Sequence, residues 1–261
     1  MARFRRPGRT VRTVLISVGV AFQFLTVVPL PLRRTVTPAE LGMSVTFFPL
    51  VGLLIGFLLF GLHGILSAIF PVTVAAAILV AIWIACSGAL HFDGLLDAVD
   101  GLLGGRTPED RMRILRDERV GAFAVAAGGI MILLKFAAIA GIGAAAGLIF
   151  VPVVGRWLTS MGVVLFSYAR TDGLGRDMKD NAGWPQAVGA TAIAAAALGI
   201  LAPSVGLAAT GAAVILACFS GWLLVSFTLS RIPGLTGDIY GALCEVGETV
   251  CIVTLAANWA A

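Results

Sequence analysis

Residues 207–229 read LAATGAAVILACFSGWLLVSFTL, an unbroken run without one Asp, Glu, Lys or Arg. A bilayer's hydrocarbon core takes about 20 apolar residues of helix to cross, so this stretch predicts a membrane-spanning helix. Comparable runs lie over 43–62, 74–94, 121–141, 149–168, 186–202 and 239–257, which makes about seven spans. The composition agrees: of 261 residues, 59% are hydrophobic and 12% charged, and the mean hydropathy is +1.01. A soluble domain carries about 25% charged residues, so a soluble globule is excluded. So are a disordered chain, which needs low hydrophobicity, and an outer-membrane barrel, which alternates polar and apolar residues along short strands. The fold class is therefore all-α, a polytopic transmembrane bundle. No internal repeat or low-complexity linker divides residues 1–261, which read as a single integral-membrane domain.

The charges set the topology. An eighth apolar stretch, 14–30, follows Arg3, Arg5, Arg6, Arg9 and Arg12 and ends in Pro29-Leu30-Pro31. Gln23 interrupts it and no small-residue cleavage pattern follows, which argues against a signal peptide. If it crosses, the N-terminal arginines and the charged loop 101–119 fall on opposite faces. As a re-entrant or interfacial segment it leaves the N-terminus, Arg33, Arg34, loop 101–119, loop 170–181 and Arg231 on one side. The opposite connections, 63–73, 142–148 and 203–206, hold no Lys, Arg, Asp or Glu. Basic loops mark the cytoplasmic face, so the expectation is a multi-pass protein of the cytoplasmic (inner) membrane with its N-terminus inside. Cys86, Cys218, Cys244 and Cys251 form no C-x-x-C pair and read as small packing residues. Gly52 and Gly56 have the spacing that lets helices approach closely in lipid.

Carboxylates inside or beside spans are costly, by about 2.5–3.5 kcal/mol each on insertion scales, and call for a partner or a purpose. Residues 91–101 read HFDGLLDAVDG. Asp93, Asp97 and Asp100 stand at i, i+4 and i+7 and share a helical stripe about 60° wide. Three like charges there repel one another unless a cation sits among them. All-oxygen ligation suits a hard divalent ion, Mg²⁺ above all, held by one or two carboxylates and substrate phosphates; a solvated helix end is the plainer alternative. A second acidic set, Asp238, Glu245 and Glu248, opens and follows the start of the last span, entering from the same side. Thr107-Pro108-Glu109-Asp110 is a helix start, and the helix it opens carries Arg111, Arg113, Arg116 and Arg119 as far as about Gly121. Those arginines either clamp a polyphosphate in bidentate fashion or touch lipid headgroups; Arg113 and Asp117 are also spaced to pair. The loop from Arg170 to Asp177, with Gly173, Gly175 and the two arginines Arg170 and Arg176, is a weak phosphate-loop pattern. Lys135 and Arg156, inside spans, pair with carboxylates, line a cavity or snorkel. Together these residue types suit transfer on a phosphoanhydride, with His91 or a spare carboxylate accepting a hydroxyl proton.

Five stretches carry a resemblance to the cobalamin synthase family: Phe24-Leu25-Thr26 with Pro29 and Pro31; Phe48-Pro49-Leu50-Val51-Gly52; 91–101; Arg116-Asp117-Glu118-Arg119-Val120-Gly121; and Thr236-Gly237-Asp238 leading to Glu245 and Glu248. Phe92 and Pro233 depart from the family pattern and leave its acidic positions intact. The resemblance implies a Mg²⁺-dependent membrane transferase that joins adenosylcobinamide-GDP to α-ribazole or its 5′-phosphate and releases GMP at the cytoplasmic face. It implies metal candidates Asp93, Asp97 and Asp100, with Asp117, Asp238, Glu245 and Glu248 as further ligands or base. It gives nucleic acid no role and leaves open a homo-oligomer or association with other cobalamin-pathway enzymes. Two alternatives stand beside it. Asp97-x-x-Asp100-Gly101 and Arg106 echo a CDP-alcohol phosphotransferase, although Gly105 replaces that family's alanine. An ion-coupled transporter also uses intramembrane carboxylates, but no inverted repeat is present.

Overall fold

The computed structural model describes residues 7–30, 34–143 and 145–257; Arg3, Arg5, Arg6, Pro31 and Arg33, and the side chain of Arg9, lie outside the described residues. The described chain is helical, with α1 (Pro7–Leu25), α2 (Pro38–Ser44), α3 (Phe48–Ile69), α4 (Val72–Cys86), α5 (Leu90–Gly104), α6 (Pro108–Ile114), α7 (Ala122–Ala140), α8 (Gly147–Leu165), α9 (Leu174–Asn181), α10 (Trp184–Val205), α11 (Leu207–Leu229) and α12 (Gly237–Leu255). Among the described residues five segments are long and apolar enough to cross a membrane: 38–69, taken through a 3-10 turn, then α7, α8, α10 and α11. α4 and α5 add a sixth only as a pair bent by 87°. The last expected span is α12, which carries three carboxylates and is buried along almost its whole length. It lies at the centre, packed by α5, α7, α8 and α11, while α8 fills the space between α3, α10 and α12. Outer faces keep large apolar side chains such as Phe57, Leu133, Ile200 and Ile215 exposed, as lipid-facing helices do. Gly52 and Gly56 do let α3 lie against the backbone of α8, at Pro152 and Ile149.

Two features depart from the sequence reading. The 74–94 span is not one helix. At Gly88 and Ala89 the backbone turns left-handed, φ +59° and +60°, and Ala89 N–H bonds back to Ile84 O at 3.0 Å. Ser87-Gly88-Ala89 sits in an apolar run, so hydropathy alone cannot register the turn. The N-terminal segment, for its part, is one continuous helix as far as Leu25, which departs from the re-entrant form of the expectation and agrees with its interfacial form. α1 buries Ser17, Val20, Ala21 and Leu25, a stripe at helical spacing, against α2 and α3 and leaves Leu15 exposed.

The bundle closes around a charge cluster. Lys135 Nζ of α7 donates to Glu245 Oε2 at 2.6 Å and to Glu248 Oε2 at 2.9 Å, both on α12. Arg156 of α8 pairs with the other oxygen of Glu248, and Lys135 also stands 4.5 Å from the Trp83 ring of α4. All four charged side chains are buried. Two cations against two carboxylates leave no net charge, which is how such a cluster is tolerated away from water.

Removing one member should therefore expose the cost. Lys135→Met leaves two buried carboxylates sharing one guanidinium and is expected to destabilise the protein by about 3–5 kcal/mol, with Glu245→Gln in the same chain recovering much of the loss. Unfolding followed in detergent micelles checks both, and a Lys135→Met chain as stable as the parent contradicts the pairing.

Candidate active site

The charged connections meet at one end of the bundle. Ala169 N–H donates to Leu235 O at 2.7 Å and Leu235 N–H to Ser167 O at 2.8 Å, zipping loop 166–173 to loop 230–236. Arg170, carried by the first loop, donates to Asp238 Oδ2 at 2.6 Å and to Leu115 O at 2.9 Å, where α6 ends. Thr236 Oγ1 donates to the same Asp238 oxygen at 3.1 Å while capping α12 through Ile239 N–H. A weaker pair, Arg116 with Asp172 at 3.9 Å, crosses between the same loops near the surface.

Beneath these contacts α5 and α12 cross with almost no space between them. A Cβ on Gly94 would meet Asp238 O at 3.0 Å, and one on Gly241 would meet His91 O at 2.9 Å. Only glycine at both positions lets the two backbones come that close. The crossing, and the turn at Gly88-Ala89 that aims the start of α5, put His91 and Asp93 beside Asp238 on the wall of one cavity of about 490 Å³. Its buried inner wall is formed by Phe48, Thr159, Val163, Met178, Tyr240 and His91; Asp93, Arg116, Asp172, Gly173 and Leu174 are exposed around the mouth. His91 Nδ1, Tyr240 Oη and Arg170 Nε are buried without a hydrogen-bond partner among the described residues. Such atoms are rare in folded proteins, and in a cavity wall a bound ligand or water can complete their bonding. Burial raises the Tyr168 phenol above its ordinary pKa, so it is a neutral group across the physiological range.

The expected site residues separate into those at the cavity and those elsewhere. Asp93, Asp238, His91, Arg116, Gly173 and Gly175 line it. Asp97, half-buried one turn on from Asp93, lies within electrostatic reach of Asp93, Asp238, Asp100 and Arg170. Asp100 instead turns to α7, where it accepts from Gly121 N–H at 2.5 Å and Ala124 N–H at 2.9 Å; it caps that helix. Asp117 is held by Arg119 at 3.0 Å, and that guanidinium keeps its carboxyl below the ordinary range. Arg113 pairs with Asp110, not with Asp117. Glu245 and Glu248 lie in the cluster with Lys135 and Arg156, already matched in charge, rather than on the cavity wall. Arg111 Nε reaches Leu102 O at 3.3 Å and ties α6 to the end of α5; Arg176 pairs with Asp180. Thr107 caps α6 as expected, through Asp110 N–H at 3.1 Å, but the helix ends at Ile114 rather than near Gly121, because Asp117 and Gly121 are drawn into these other bonds.

Among the described residues no three His, Cys, Asp or Glu side chains stand close enough to hold a metal ion by themselves. The donor chemistry still fits a hard cation. Asp93 and Asp238 at the cavity, with Asp97 adjacent, set three carboxylates against the Arg170 guanidinium, an excess of negative charge. Mg²⁺ needs only one or two carboxylates when phosphate oxygens and waters supply the rest. Thr159 and both of the chain's tyrosines, Tyr168 and Tyr240, escaped the sequence reading, and Arg170 entered it only as part of the weak loop pattern over 170–177. The signal available was position: Tyr240 follows Asp238 by two residues, and Arg170 opens the glycine loop.

Residues 17–256 match the family described as cobalamin-5-phosphate synthase. Among curated proteins, the chain is 38% identical to the adenosylcobinamide-GDP ribazoletransferase of Pseudomonas savastanoi pv. phaseolicola, covering 93% of this chain and 99% of that protein. It is 35% identical to the protein of the same name from Roseiflexus sp., covering 91% and 88%. For that of Desulfitobacterium hafniense the figures are 34%, 90% and 94%. No solved structure matches the chain.

The cap assigned to Asp100 has a measurable consequence. Asp100→Ala is expected to lower stability by about 1–2 kcal/mol, and Asp100→Asn, whose single carbonyl oxygen keeps an acceptor for one of the two N–H groups, to lose less. Equal losses in thermal unfolding would argue that the carboxylate has another partner.

Proposed function

Because the chain belongs to the cobalamin-5-phosphate synthase family, we propose that it transfers the adenosylcobinamide-phosphate group of adenosylcobinamide-GDP to a ribose hydroxyl of α-ribazole, or of its 5′-phosphate, with release of GMP. The observation that carries this reading is the shared cavity: carboxylates from α5 and α12 and a guanidinium, Arg170, converge at the charged end of a membrane bundle, beside three buried polar atoms that lack partners. Phosphoanhydride transfer asks a protein mainly for position and charge neutralisation, and these are the groups at hand.

In this reading Arg116 and Arg170 take phosphate oxygens of the donor, and the exposed, uncrowded backbone at Gly173 leaves room for the diphosphate, while Gly175 packs against the Tyr168 hydroxyl. Asp93 and Asp97, with Asp238, would hold Mg²⁺, which when bound supplies charge neutralisation to the phosphates. Arg170 fixes Asp238 in place through the 2.6 Å bond. His91, with Nδ1 unbonded and its ring in the cavity wall, takes the proton of the attacking hydroxyl. Arg113 and Arg119, strongly exposed near the loop ends, lie outside this set and contact the headgroup layer at the cytoplasmic face.

Purified protein in lipid, given adenosylcobinamide-GDP, α-ribazole and Mg²⁺, is expected to release GMP, and chelation of the metal to stop it. Asp93→Ala and Asp238→Ala should each lower kcat by at least about 100-fold, the scale of a lost electrostatic contact to the transition state, with the protein still inserted. Release of CMP from a CDP-alcohol, or full turnover after either substitution, would overturn the assignment.

A further inference from the structure

The cavity's inner wall has a chemistry of its own. Phe48, Val163 and Met178 are almost wholly buried there, Phe24 stacks on Phe48 with centroids 6.1 Å apart, and Tyr168 lies against Tyr240 at 5.8 Å. Of the two hydroxyls on this buried wall, Thr159 Oγ1 is already bonded to Gly155 O and Tyr240 O, which leaves Tyr240 Oη, in a residue 5% exposed, with no partner among the described residues. A lone donor facing apolar walls is matched by a flat apolar ring system with one accepting nitrogen. Guanine does not match: its edges carry two donor groups and three acceptors, most of which would be buried here against carbon, each at a cost of about 1–3 kcal/mol. A corrin with its amide arms is too large for a space of about 490 Å³, which is ordinary for a small heterocycle with its sugar.

We infer that this inner wall is the binding site for the base of the acceptor nucleoside, with Tyr240 Oη donating to its accepting nitrogen and the donor nucleotide kept outside at the charged mouth. The inference rests on the transferase reading above and adds to it which substrate enters the membrane-side end of the cavity. It also gives the second unbonded atom a place: with the base held at Tyr240, the ribose lies towards His91, next to Asp93. Specificity follows, because a polar purine in the same position leaves its own edge groups unpaired.

Tyr240→Phe tests this, because it removes the hydroxyl and keeps the ring. A structural hydroxyl would be bonded to protein; this one is not, so the thermal midpoint is expected to stay the same or rise. The acceptor's KM should increase about tenfold while the KM of the GDP-bearing donor stays unchanged. A matched acceptor in which C–H replaces the accepting nitrogen, an indole ribonucleoside, should bind the parent protein about tenfold more weakly than the benzimidazole ribonucleoside, and the Tyr240→Phe protein should not distinguish the two. Binding of these nucleosides to the full chain in lipid nanodiscs, measured by calorimetry without donor, gives a readout that survives failure of the transferase reading. An unchanged acceptor affinity, a shift in donor KM instead, or GMP displacing the benzimidazole nucleoside competitively would each overturn the inference.

Discussion

Four buried charges decide where the central helix can sit. Glu245 and Glu248 project from α12 into a space whose cations, Lys135 and Arg156, come from two other helices. In a medium of low dielectric an unpaired member costs several kcal/mol, so a rotation of α12 by one residue, about 100°, is strongly opposed. That fixed rotation points Gly241 at α5 and so permits the close crossing with Gly94. The crossing in turn sets Asp238 beside Asp93 and places Tyr240 on the cavity wall. Placement of the chemistry is thus linked to a cluster that itself stays off the cavity wall.

The carboxylates divide by what surrounds them. Those facing matched cations or backbone N–H groups, Glu245, Glu248, Asp100 and Asp117, are held in the protein's own bonds. Those left in excess, Asp93, Asp97 and Asp238 against Arg170, stand where a cation and phosphates would complete the charge. Arg170 has a double task in this arrangement. It joins loop 166–173 to the end of α6 and to the start of α12, so the mouth is assembled from segments far apart in the chain.

Much of the fold was legible in the sequence because hydrophobic length is a local property: runs such as 207–229 and 121–141 became α11 and α7 nearly at their expected bounds. The acidic stripe of α5 was legible for the same reason, since helical spacing alone puts Asp93, Asp97 and Asp100 on one face. What each carboxylate touches was not. Lys135 is 110 residues from Glu245 and 113 from Glu248, and no periodicity within either helix reveals that they face each other. Asp100 looked like its neighbours until the start of α7 was seen to need its oxygens. The turn at Gly88-Ala89 was hidden because hydropathy does not distinguish a bent apolar run from a straight one. Tyr240 drew no notice because a buried hydroxyl without a partner is visible only once its surroundings are known.

The account depends on the tips of α5 and α12 sharing one cavity. Cysteines introduced at positions 93 and 238, in a chain whose four native cysteines are replaced by alanine, measure that directly in native membranes with short bifunctional thiol reagents. Rapid cross-linking within a single chain, lost when Gly241 is changed to a bulky residue that forces the helices apart, is the predicted result. No cross-linking between these positions in an inserted, folded chain would contradict the account.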